Sequence, residues 1–241
     1  MKFKTSLTNL TESSQQIRSH KLSDLVSEHG FVSAIFLLLN GNLPDEKEYR
    51  MFDAIFTSII DHGPGTASAM NARISASSKN PLHASVAAGL LGLGDRHGTT
   101  IEAAMNFFYE HKDVEDVEAL LKEMKEKKQY VMGYGHKVFR EADPRAEMLF
   151  GLAKELGIYG AHCELAQKVQ ETLNAISSRK LPINCDGAIA AILCDMGFDS
   201  VAGNGIFVIG RVPGLVAHVV EERNNDEGIR RAPLEDIEFN V

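Results

Sequence analysis

The amino-acid sequence predicts an all-α protein. Apolar side chains recur every three or four positions over residues 47–61, which is the spacing of the buried face of a helix. Asp143-Pro144 pairs a helix-capping residue with a proline suited to the first helical turn. No segment shows the convincing alternation of apolar and polar residues that is typical of a half-buried strand. Together these observations favour a protein made of packed helices.

The predicted helices follow one another along the first part of the chain. Mixed apolar spacing predicts a helix over residues 21–40, with Gly30 as a candidate break. A turn at residues 40–44 separates this helix from the one over residues 47–61. Residues 82–93 are rich in alanine, glycine and leucine, so we expect a buried helix that packs closely against a neighbour.

The second part of the chain carries clear helix-start signals. The run Thr99-Thr100-Ile101-Glu102 has the pattern of a capping box. The apolar helix near the C-terminus is interrupted by Arg211 and by Val212-Pro213-Gly214. Helices are predicted over residues 100–110, 112–128, 144–155, 163–178, 187–196 and 204–222.

The composition argues against several classes of function. The 241-residue chain has a net charge of −8, which argues against nonspecific binding of nucleic acid. Its three cysteines form no CxxC pattern, so we expect no disulfide framework and no metal site. The N-terminal residues show no signal peptide, and the apolar run near residues 35–39 is far too short to span a bilayer. We therefore expect a cytoplasmic protein with no membrane or nucleic-acid partner.

Three polar residues that could move protons each lie on a glycine-rich turn. They are His97 in Gly94-Asp95-Arg96-His97-Gly98, His136 in Gly133-Tyr134-Gly135-His136, and Asp186 in Asn184-Cys185-Asp186-Gly187. Glycine lets the backbone approach a ligand closely. Two imidazoles and one carboxylate can move protons on and off a carbon next to a carbonyl group. This set indicates carbon–carbon bond chemistry through an enol.

Two of these residues also have a purely structural interpretation. His97 precedes a predicted helix, whose positive end disfavours an imidazolium. A neutral ring there can donate a hydrogen bond to a carbonyl oxygen, or it merely caps the turn. Asp186 lies at another predicted helix start, where its carboxylate should be ionised. It could take a proton from an activated carbon acid, or it is an N-cap.

Several basic residues are candidates for binding anions. Lys137, Arg140 and Arg145 form a cluster beside the second glycine turn, which suits phosphates or carboxylates, or is a solvated helix start. His62 ends a strongly apolar helix and could be a satisfied C-terminal histidine. Arg211 interrupts an apolar helix, and a buried arginine requires an anionic partner, either a carboxylate of the protein or one of a ligand.

The combination and order of these motifs are specific. The strongest is Gly133-Tyr134-Gly135-His136-Lys137-Val138 followed by Asp143-Pro144-Arg145. The turns that carry His97 and Asp186 lie in the right order around it, and residues 36–44 add an upstream match. In this combination the chain resembles the citrate synthase superfamily, from about Ser23 to the C-terminus.

Several segments are most similar to the citryl-CoA lyase branch, which includes the C-terminal module of ATP-citrate lyase. They are Asp61-His62-Gly63-Pro64, residues 203–211 and residues 231–237. His97 departs from this branch, because it is the residue of citrate synthases and not a fixed feature of the ATP-citrate lyase module. The synthase alternative therefore stays open.

The resemblance implies roles for individual residues. His97 would bond the thioester oxygen, and Asp186 would exchange the proton of the acetyl methyl group. His136 would exchange the proton on the oxaloacetate carbonyl or citryl hydroxyl oxygen. The family's carboxylate-binding positions correspond to His62, Arg145, Arg211 and Arg231, with Arg231 reaching in from the partner subunit. Contacts to coenzyme A are implied for Gly133, Tyr134, Gly135, Lys137 and Arg140.

The resemblance also implies an architecture and an activity. We expect a homodimer whose large domain comprises residues 1–98 and 198–241 and whose small domain comprises residues 99–197, with the active site in the cleft. The expected reaction is cleavage of citryl-CoA to acetyl-CoA and oxaloacetate, with a coenzyme A thioester as substrate and no cofactor. A separate protein would then supply the citryl-CoA. The alternatives are citrate synthase and a non-catalytic CoA-binding relative.

Overall fold

The computed structural model describes residues 2–239, which are mostly helical, and it confirms the predicted all-α class. A π-helical turn, Leu25–His29, lies between the first two helices, and a 3-10 turn, Leu234–Asp236, lies near the C-terminus. The α-helices are α1 (Leu22–Asp24), α2 (Gly30–Asn40), α3 (Glu46–Ile59), α4 (Ala67–Ser77), α5 (Leu82–Leu90), α6 (Ile101–Glu110), α7 (Val117–Glu126), α8 (Pro144–Leu156), α9 (Ala161–Ile176), α10 (Cys185–Asp195) and α11 (Val201–Asn225).

A small antiparallel sheet precedes the helices and was not predicted. Its strands are β1 (Thr8–Leu10), β2 (Gln15–Ile17) and β3 (His20–Lys21). In the register of the sheet, Thr8 lies opposite Ile17 and Gln16 lies opposite Lys21. Strands of two or three residues are too short to show the alternation by which a strand is predicted.

Several predicted helix boundaries need correction. Helix α4 was missed, because its alanine- and serine-rich sequence carries almost no apolar stripe. The predicted interruption at residues 212–214 is wrong, since α11 continues through Pro213 as one helix. Helix α5 ends at Leu90 rather than at residue 93, and α7 begins at Val117 rather than at residue 112. The break at Gly30 is confirmed, because this residue has a φ of 79° between the π-helical turn and α2.

A reciprocal pair of hydrogen bonds links the start of helix α6 to helix α11. The backbone N–H of Glu102 donates to Oδ1 of Asn204 at 3.1 Å. In return, Nδ2 of Asn204 donates to Oε2 of Glu102 at 3.0 Å. Asn204 belongs to α11, and the capping box predicted at residues 99–102 stays a prediction.

The chain divides into two compact units. Unit 1 comprises the described residues up to Ile55 together with Ile101–Asn204, and unit 2 comprises Phe56–Thr100 together with the described residues from Gly205 onward. The predicted assignment of residues 1–98 and 198–241 to a large domain, and of residues 99–197 to a small one, stays a prediction.

The core of unit 1 is centred on helix α10. This helix packs against α6, α8 and α9, and all its residues from Gly187 to Cys194 are buried. A helix that is apolar on every face is stable only when it is surrounded by other elements. Phe36, Phe52 and Phe198 form a second part of the core, with ring centroids 5.1–5.3 Å apart.

Helix α9 is capped by a side chain from another helix. The carboxylate of Asp195, the last residue of α10, accepts hydrogen bonds from the backbone N–H groups of Gly160, His162 and Cys163 at 2.8–3.0 Å. Its Oδ1 also lies 2.8 Å from Nδ1 of His162. The residue at the formal N-cap position, Gly160, has no side chain with which to make these bonds.

The core of unit 2 is built on helices α4 and α5, which pack closely against each other. A Cβ atom added to Gly89 of α5 would lie 3.0 Å from the Cβ of Ala72 on α4 and 3.2 Å from Leu215. The small residues predicted in this helix therefore allow close packing within the chain. Leu215 and Val219 of α11 complete the cluster.

Among the described residues, two helical stretches meet the length and hydropathy expected of a membrane span, although the short apolar runs of the sequence did not indicate this. They are Leu22–Asn40 and Val201–Asn225. Length and composition alone are weak grounds, because core helices of soluble proteins pass the same test. The second stretch buries Arg211, His218 and Glu222. The expected absence of a membrane partner stays a prediction.

Candidate active site

Two glycine-containing turns are joined by backbone hydrogen bonds in unit 1. The N–H of Gly135 donates to the carbonyl of Pro182 at 2.7 Å, and the N–H of Asn184 donates to the carbonyl of Gly133 at 2.9 Å. The side-chain amide of Asn184 donates to the carbonyl of Gly135 at 3.0 Å. These bonds hold the turn that precedes His136 against the start of helix α10.

Glycine is required at the point where these turns meet. Gly133 has a φ of 90°, in the region that favours glycine. A Cβ added to it would lie 2.6 Å from the Cα of Gly187. A Cβ on Gly187 would overlap the carbonyl oxygen of Gly133. Both glycines of the predicted motifs therefore serve a close approach of backbone to backbone.

The ring of His136 is oriented by the chain that follows it. Its Nδ1 accepts hydrogen bonds from the backbone N–H groups of Val138 and Phe139 at 3.1 and 3.0 Å. The ring also stacks on Phe139 at 4.8 Å. Because Nδ1 must be unprotonated to accept these bonds, the neutral ring carries its proton on Nε2.

The charge state of His136 agrees with this tautomer. Burial lowers the pKa of His136, and the nearby Arg145 guanidinium lowers it further, while the carboxylates of Asp143 and Asp186 act in the opposite direction. The net effect is a lowered pKa, so the imidazole is neutral at pH 7.

Arg145 is fixed by a two-pronged ion pair with Asp143. Its Nε lies 3.0 Å from Oδ1 of Asp143, and its Nη2 lies 2.8 Å from Oδ2. The Asp143 carboxylate is almost fully buried and also accepts from the backbone N–H of Cys185 at 3.0 Å. Burial alone would raise the pKa of Asp143, but the bonds from Arg145 and from the backbone outweigh it, and the net pKa is lowered.

His136 and Arg145 present hydrogen-bond donors side by side. Nη2 of Arg145 lies 3.4 Å from Nε2 of His136. A guanidinium can only donate, and Nε2 carries the proton of the neutral ring, so this contact brings two donors together. Such a pair is suited to an anionic or carbonyl oxygen that accepts from both groups.

Asp186 lies in the first turn of helix α10, close enough to His136 and Arg145 to influence the pKa of both. The N-cap of this helix is Asn184, whose Oδ1 accepts from the N–H of Gly187 at 3.1 Å. The structural alternative that Asp186 itself is the N-cap is therefore wrong. The structure thus brings three of the predicted site residues together in unit 1.

The predicted contacts to coenzyme A lie on the same turn but differ in exposure. The hydroxyl of Tyr134 donates to the backbone carbonyl of Ala166 at 2.9 Å, so it holds the turn against helix α9. Lys137 and Arg140 are exposed. A role for these residues in binding coenzyme A stays a prediction.

The other predicted site residues lie in unit 2. His97 is half-buried, and its Nε2 lies 2.8 Å from the hydroxyl oxygen of Ser68, in the first turn of α4. Gly98 has a φ of 80°, and a Cβ there would overlap the ring of Phe207. Only glycine fits the backbone at position 98. The close packing of this glycine against Phe207 therefore fixes the backbone next to His97.

Arg211 is buried beside the same aromatic ring. Its guanidinium lies 4.8 Å from the centroid of the Phe207 ring. Its Nε donates to the backbone carbonyl of Ile59 at 2.8 Å, at the C-terminal end of α3. Gly98 also contacts Phe207, so Arg211 and the turn that carries His97 pack against the same aromatic ring.

The exposed residues His62 and Arg231 lie near a single cavity of about 700 Å³. Pro64, two residues after His62, lines this cavity together with Arg73 of α4 and the chain around Arg231. The cavity therefore connects the turn after α3 with the segment that follows α11.

Three residues of this architecture were not predicted as site residues. Ser68 orients His97 from 29 positions away, and Asn184 holds two turns together through its side chain. Asp143 was predicted as an N-cap, which its bond to the Arg145 N–H confirms, but its side-chain ion pair was not expected. Among the described residues, no group of three or more histidines, cysteines and acidic residues could hold a metal ion.

Comparison of the sequence with models of known protein families gives a match over most of the chain. A model of the C-terminal domain of citrate synthase matches residues 8–232. The chain belongs to the citrate synthase family. Among curated proteins, it is 28% identical over 207 residues to citrate synthase 2 of Bacillus subtilis, covering 84% of this chain and 55% of that protein. The chain therefore spans about half the length of this curated relative.

Solved structures of this family include proteins that match along the whole chain. The structure of citryl-CoA lyase from Hydrogenobacter thermophilus is 44% identical, with a TM-score of 0.93, and covers 99% of this chain and 94% of that one. The structure of ATP citrate lyase from Methanothrix soehngenii, in complex with citrate and coenzyme A, is 25% identical with a TM-score of 0.88. It covers 100% of this chain but only 42% of that one.

Proposed function

We propose that this chain cleaves citryl-CoA to acetyl-CoA and oxaloacetate. The observation that carries the proposal is the 44% identity to a citryl-CoA lyase over nearly the full length of both chains. The pairing of His136 and Arg145 donors, with the Asp186 carboxylate close by, supports it with suitable chemistry.

The reaction is simplest to follow in the direction of carbon–carbon bond formation. Asp186 takes a proton from the methyl carbon of acetyl-CoA, and His97 donates a hydrogen bond to the oxygen of the resulting enolate. The enolate carbon attacks the ketone carbon of oxaloacetate. The new alkoxide takes the Nε2 proton of His136, which leaves a negatively charged imidazolate. The backbone N–H groups that donate to Nδ1 and the Arg145 guanidinium stabilise this charge, and the proton on Asp186 then passes to Nε2.

Cleavage reverses each of these steps. A proton first passes from Nε2 of His136 to the Asp186 carboxylate. Nε2 of the resulting imidazolate then receives the hydroxyl proton of the citryl group, and the carbon–carbon bond breaks to give the ketone and the enolate. Protonated Asp186 then returns a proton to the methyl carbon. In each catalytic cycle one proton therefore passes between His136 and Asp186. Loss of either residue should stop the reaction.

The remaining predicted residues would bind the charged ends of the substrate. Arg145, Arg211, Arg231 and His62 are suited to the carboxylates of oxaloacetate, because guanidinium groups recognise carboxylates through paired donors. Lys137 and Arg140 are suited to the phosphates of coenzyme A. We propose that the side chains and the thioester substrate supply all the chemistry, without a resident metal or cofactor.

Citrate synthase activity is the second candidate function, and the retention of His97 and the similarity to citrate synthase 2 favour it. The two activities share the carbon–carbon step and differ in whether water hydrolyses the citryl thioester. The proton-transfer set argues against a third candidate, a non-catalytic CoA-binding protein, since binding alone does not require it.

The deciding experiment follows oxaloacetate formation from citryl-CoA in one assay and free thiol release from acetyl-CoA with oxaloacetate in the other. Supplied citryl-CoA should be cleaved to acetyl-CoA and oxaloacetate. Supplied acetyl-CoA and oxaloacetate should release negligible free thiol. Rapid release of coenzyme A over many turnovers in the second assay would establish a synthase instead. Failure to turn over either substrate pair would leave only a binding function.

We further propose a cytoplasmic homodimer that depends on a separate enzyme to make its citryl-CoA. The resemblance to this family, in which Arg231 would act in the partner's site, supports the dimer. Sedimentation of the full chain at micromolar concentration measures the assembly directly. A monomer under those conditions would contradict the assembly and the proposed role of Arg231.

A further inference from the structure

Within unit 2, a continuous row of polar side chains links the neighbours in sequence of two predicted substrate-binding residues, His62 and Arg231. We call it the polar relay. It consists of Arg230, Glu222, Arg73, His218 and Asp61.

One end of the relay holds the segment after helix α11. Arg230 donates through Nε to Oε1 of Glu222 at 2.5 Å, and its backbone N–H donates to the hydroxyl of Ser77 at 3.0 Å. The Glu222 side chain is only 1% exposed. Arg231 is the next residue, so these bonds fix the point from which its side chain extends.

The centre of the relay is buried and charged. Arg73 pairs through Nε with Oε2 of Glu222 at 2.8 Å, and the Arg73 side chain is 13% exposed. Its Nη1 lies 3.3 Å from Nδ1 of His218, and a second, weaker pair joins it to Glu221 at 3.5 Å. Two arginines therefore share one buried carboxylate.

The other end of the relay holds the turn that carries His62. Nε2 of His218 lies 3.0 Å from Oδ1 of Asp61, and Oδ2 of Asp61 accepts from the N–H of Gly63 at 3.0 Å. Helix α11 approaches this turn closely, because a Cβ added to Gly214 would lie 3.1 Å from the Cβ of Asp61. The carboxylate of Asp61 thus fixes the backbone on either side of His62.

Donor chemistry fixes the direction of the hydrogen bonds that run from Arg73 through His218 to Asp61. A guanidinium only donates, so Nδ1 of His218 accepts from Arg73, and Nε2 then carries the proton that it donates to the Asp61 carboxylate. A side chain at position 218 must therefore accept on one side and donate on the other. An apolar residue can do neither, whereas glutamine can do both.

Stability does not explain why these groups are buried. Buried ion pairs are costly to desolvate, and an apolar replacement of similar size is often neutral or stabilising. The best-attested use of such groups is to fix one geometry among several. Here the two ends of the relay carry His62 and Arg231. Arg231 lines a cavity that is also lined by Pro64, two residues after His62.

We propose that the polar relay positions two residues for the carboxylates of a dicarboxylate substrate: His62 in the site of its own subunit, and Arg231 in the site of the partner subunit. This inference rests on the proposed function, because it assigns both residues to that substrate. The relay residues are positioning residues, which act through His62 and Arg231 without touching the substrate. Breaking the relay at either end should weaken dicarboxylate binding and leave coenzyme A binding intact.

The test compares four variants of the full chain by calorimetric titration with oxaloacetate and, separately, with coenzyme A. Arg230→Ala breaks the relay at one end, His218→Leu breaks its link to Asp61 at the other end, and the double variant combines the two substitutions. His218→Gln retains an acceptor and a donor. We expect each of the two breaking substitutions to weaken oxaloacetate binding about tenfold, which is a difference of about 1.4 kcal/mol. Affinity for coenzyme A should change less than twofold.

Two features separate positioning from a general loss of stability. The double variant should bind oxaloacetate no more weakly than the worse single variant, because both act through the same relay. His218→Gln should recover most of the loss. The matched control is Val219→Ala, which removes a fully buried neighbour on the same helix without touching the relay. It should lower the melting temperature and leave both affinities unchanged.

The outcomes distinguish this inference from the proposed function. If the wild-type chain binds oxaloacetate but the relay variants bind it equally well, the inference is wrong and the proposed function stands. Additive losses, or parallel losses of oxaloacetate and coenzyme A binding, overturn it equally. If the wild-type chain neither binds oxaloacetate nor cleaves citryl-CoA, the proposed function fails and the inference fails with it.

Discussion

Gly133 and Gly187 lie in direct backbone contact, so that a Cβ added to Gly133 would be 2.6 Å from the Cα of Gly187. This contact joins the turn that leads to His136 with the helix start that carries Asp186. The distance between two proposed catalytic residues therefore depends on two positions that have no side chain at all.

Gly187→Ala should damage both stability and activity. The new Cβ overlaps the Gly133 carbonyl oxygen, and overpacking of this kind costs about 1–3 kcal/mol. Turnover should fall further than stability alone explains, because the two turns must separate. Chemical denaturation and citryl-CoA turnover measure the two effects. Gly151→Ala is the control, since a Cβ there meets nothing within 4 Å, and it should not destabilise helix α8.

Asp186→Asn should retain coenzyme A binding and lose most turnover. An amide cannot accept a proton from a carbon acid, and loss of a positioned base typically costs about 10²-fold or more in rate. Steady-state kinetics and titration with coenzyme A give the two quantities. Near-normal turnover in this variant would remove Asp186 from the mechanism.

Asp143→Asn should destabilise the protein in a pH-dependent way. At neutral pH, loss of the ion pair leaves the Arg145 guanidinium without its carboxylate partner, at a cost of about 2–3 kcal/mol. The folded-state pKa of Asp143 is lowered, so its stabilising contribution is complete above the unfolded pKa of about 3.9. The contribution is lost as the pH falls through the folded-state pKa.

Urea denaturation of wild type and Asp143→Asn between pH 7 and pH 2 measures this effect. The difference between the two free energies of unfolding should be constant from pH 7 to about pH 5 and should shrink on further acidification. The exposed Asp53 provides a control, because Asp53→Asn should change little at any pH. A difference that grows on acidification would contradict the assigned ion pair.

Ser68→Ala should slow turnover about fivefold, because the loss of one hydrogen bond costs about 1 kcal/mol and frees the His97 ring to rotate. Ser85→Ala is a matched control in the same unit. The Ser85 hydroxyl is buried without a hydrogen-bond partner among the described residues, so its removal should preserve turnover and stability. Equal activity of wild type and Ser68→Ala would show that Ser68 does not position His97.

The sequence predicts those elements whose signals are local. The apolar stripe of α3 and the Asp143-Pro144 start of α8 are examples, and both helices lie within a few residues of their predicted bounds. Helix α4 carries no stripe, because its alanines and serines are small enough to pack on several sides. Pro213 was expected to interrupt α11, but tertiary packing outweighs the loss of one backbone bond.

For the candidate site, too, the sequence predicts the features that are local in the chain and not those that depend on distant contacts. The glycine turns identified His97, His136 and Asp186, because a motif of four or five residues is visible in the chain. The bonds that orient these residues come from elsewhere, such as Ser68 for His97. Pairings over such separations in sequence follow from the packing of the helices, and no local spacing encodes them.

The carboxylate of Asp195 has a consequence for the order in which the chain folds. It satisfies the first N–H groups of α9 from the far end of α10, so neither helix is complete until both have formed and met. An excised peptide covering residues 160–176 should therefore be less helical than its composition implies. During synthesis, residue 195 must also leave the ribosome before the first N–H groups of α9 can be capped. This region can therefore fold cooperatively only after residue 195 has emerged.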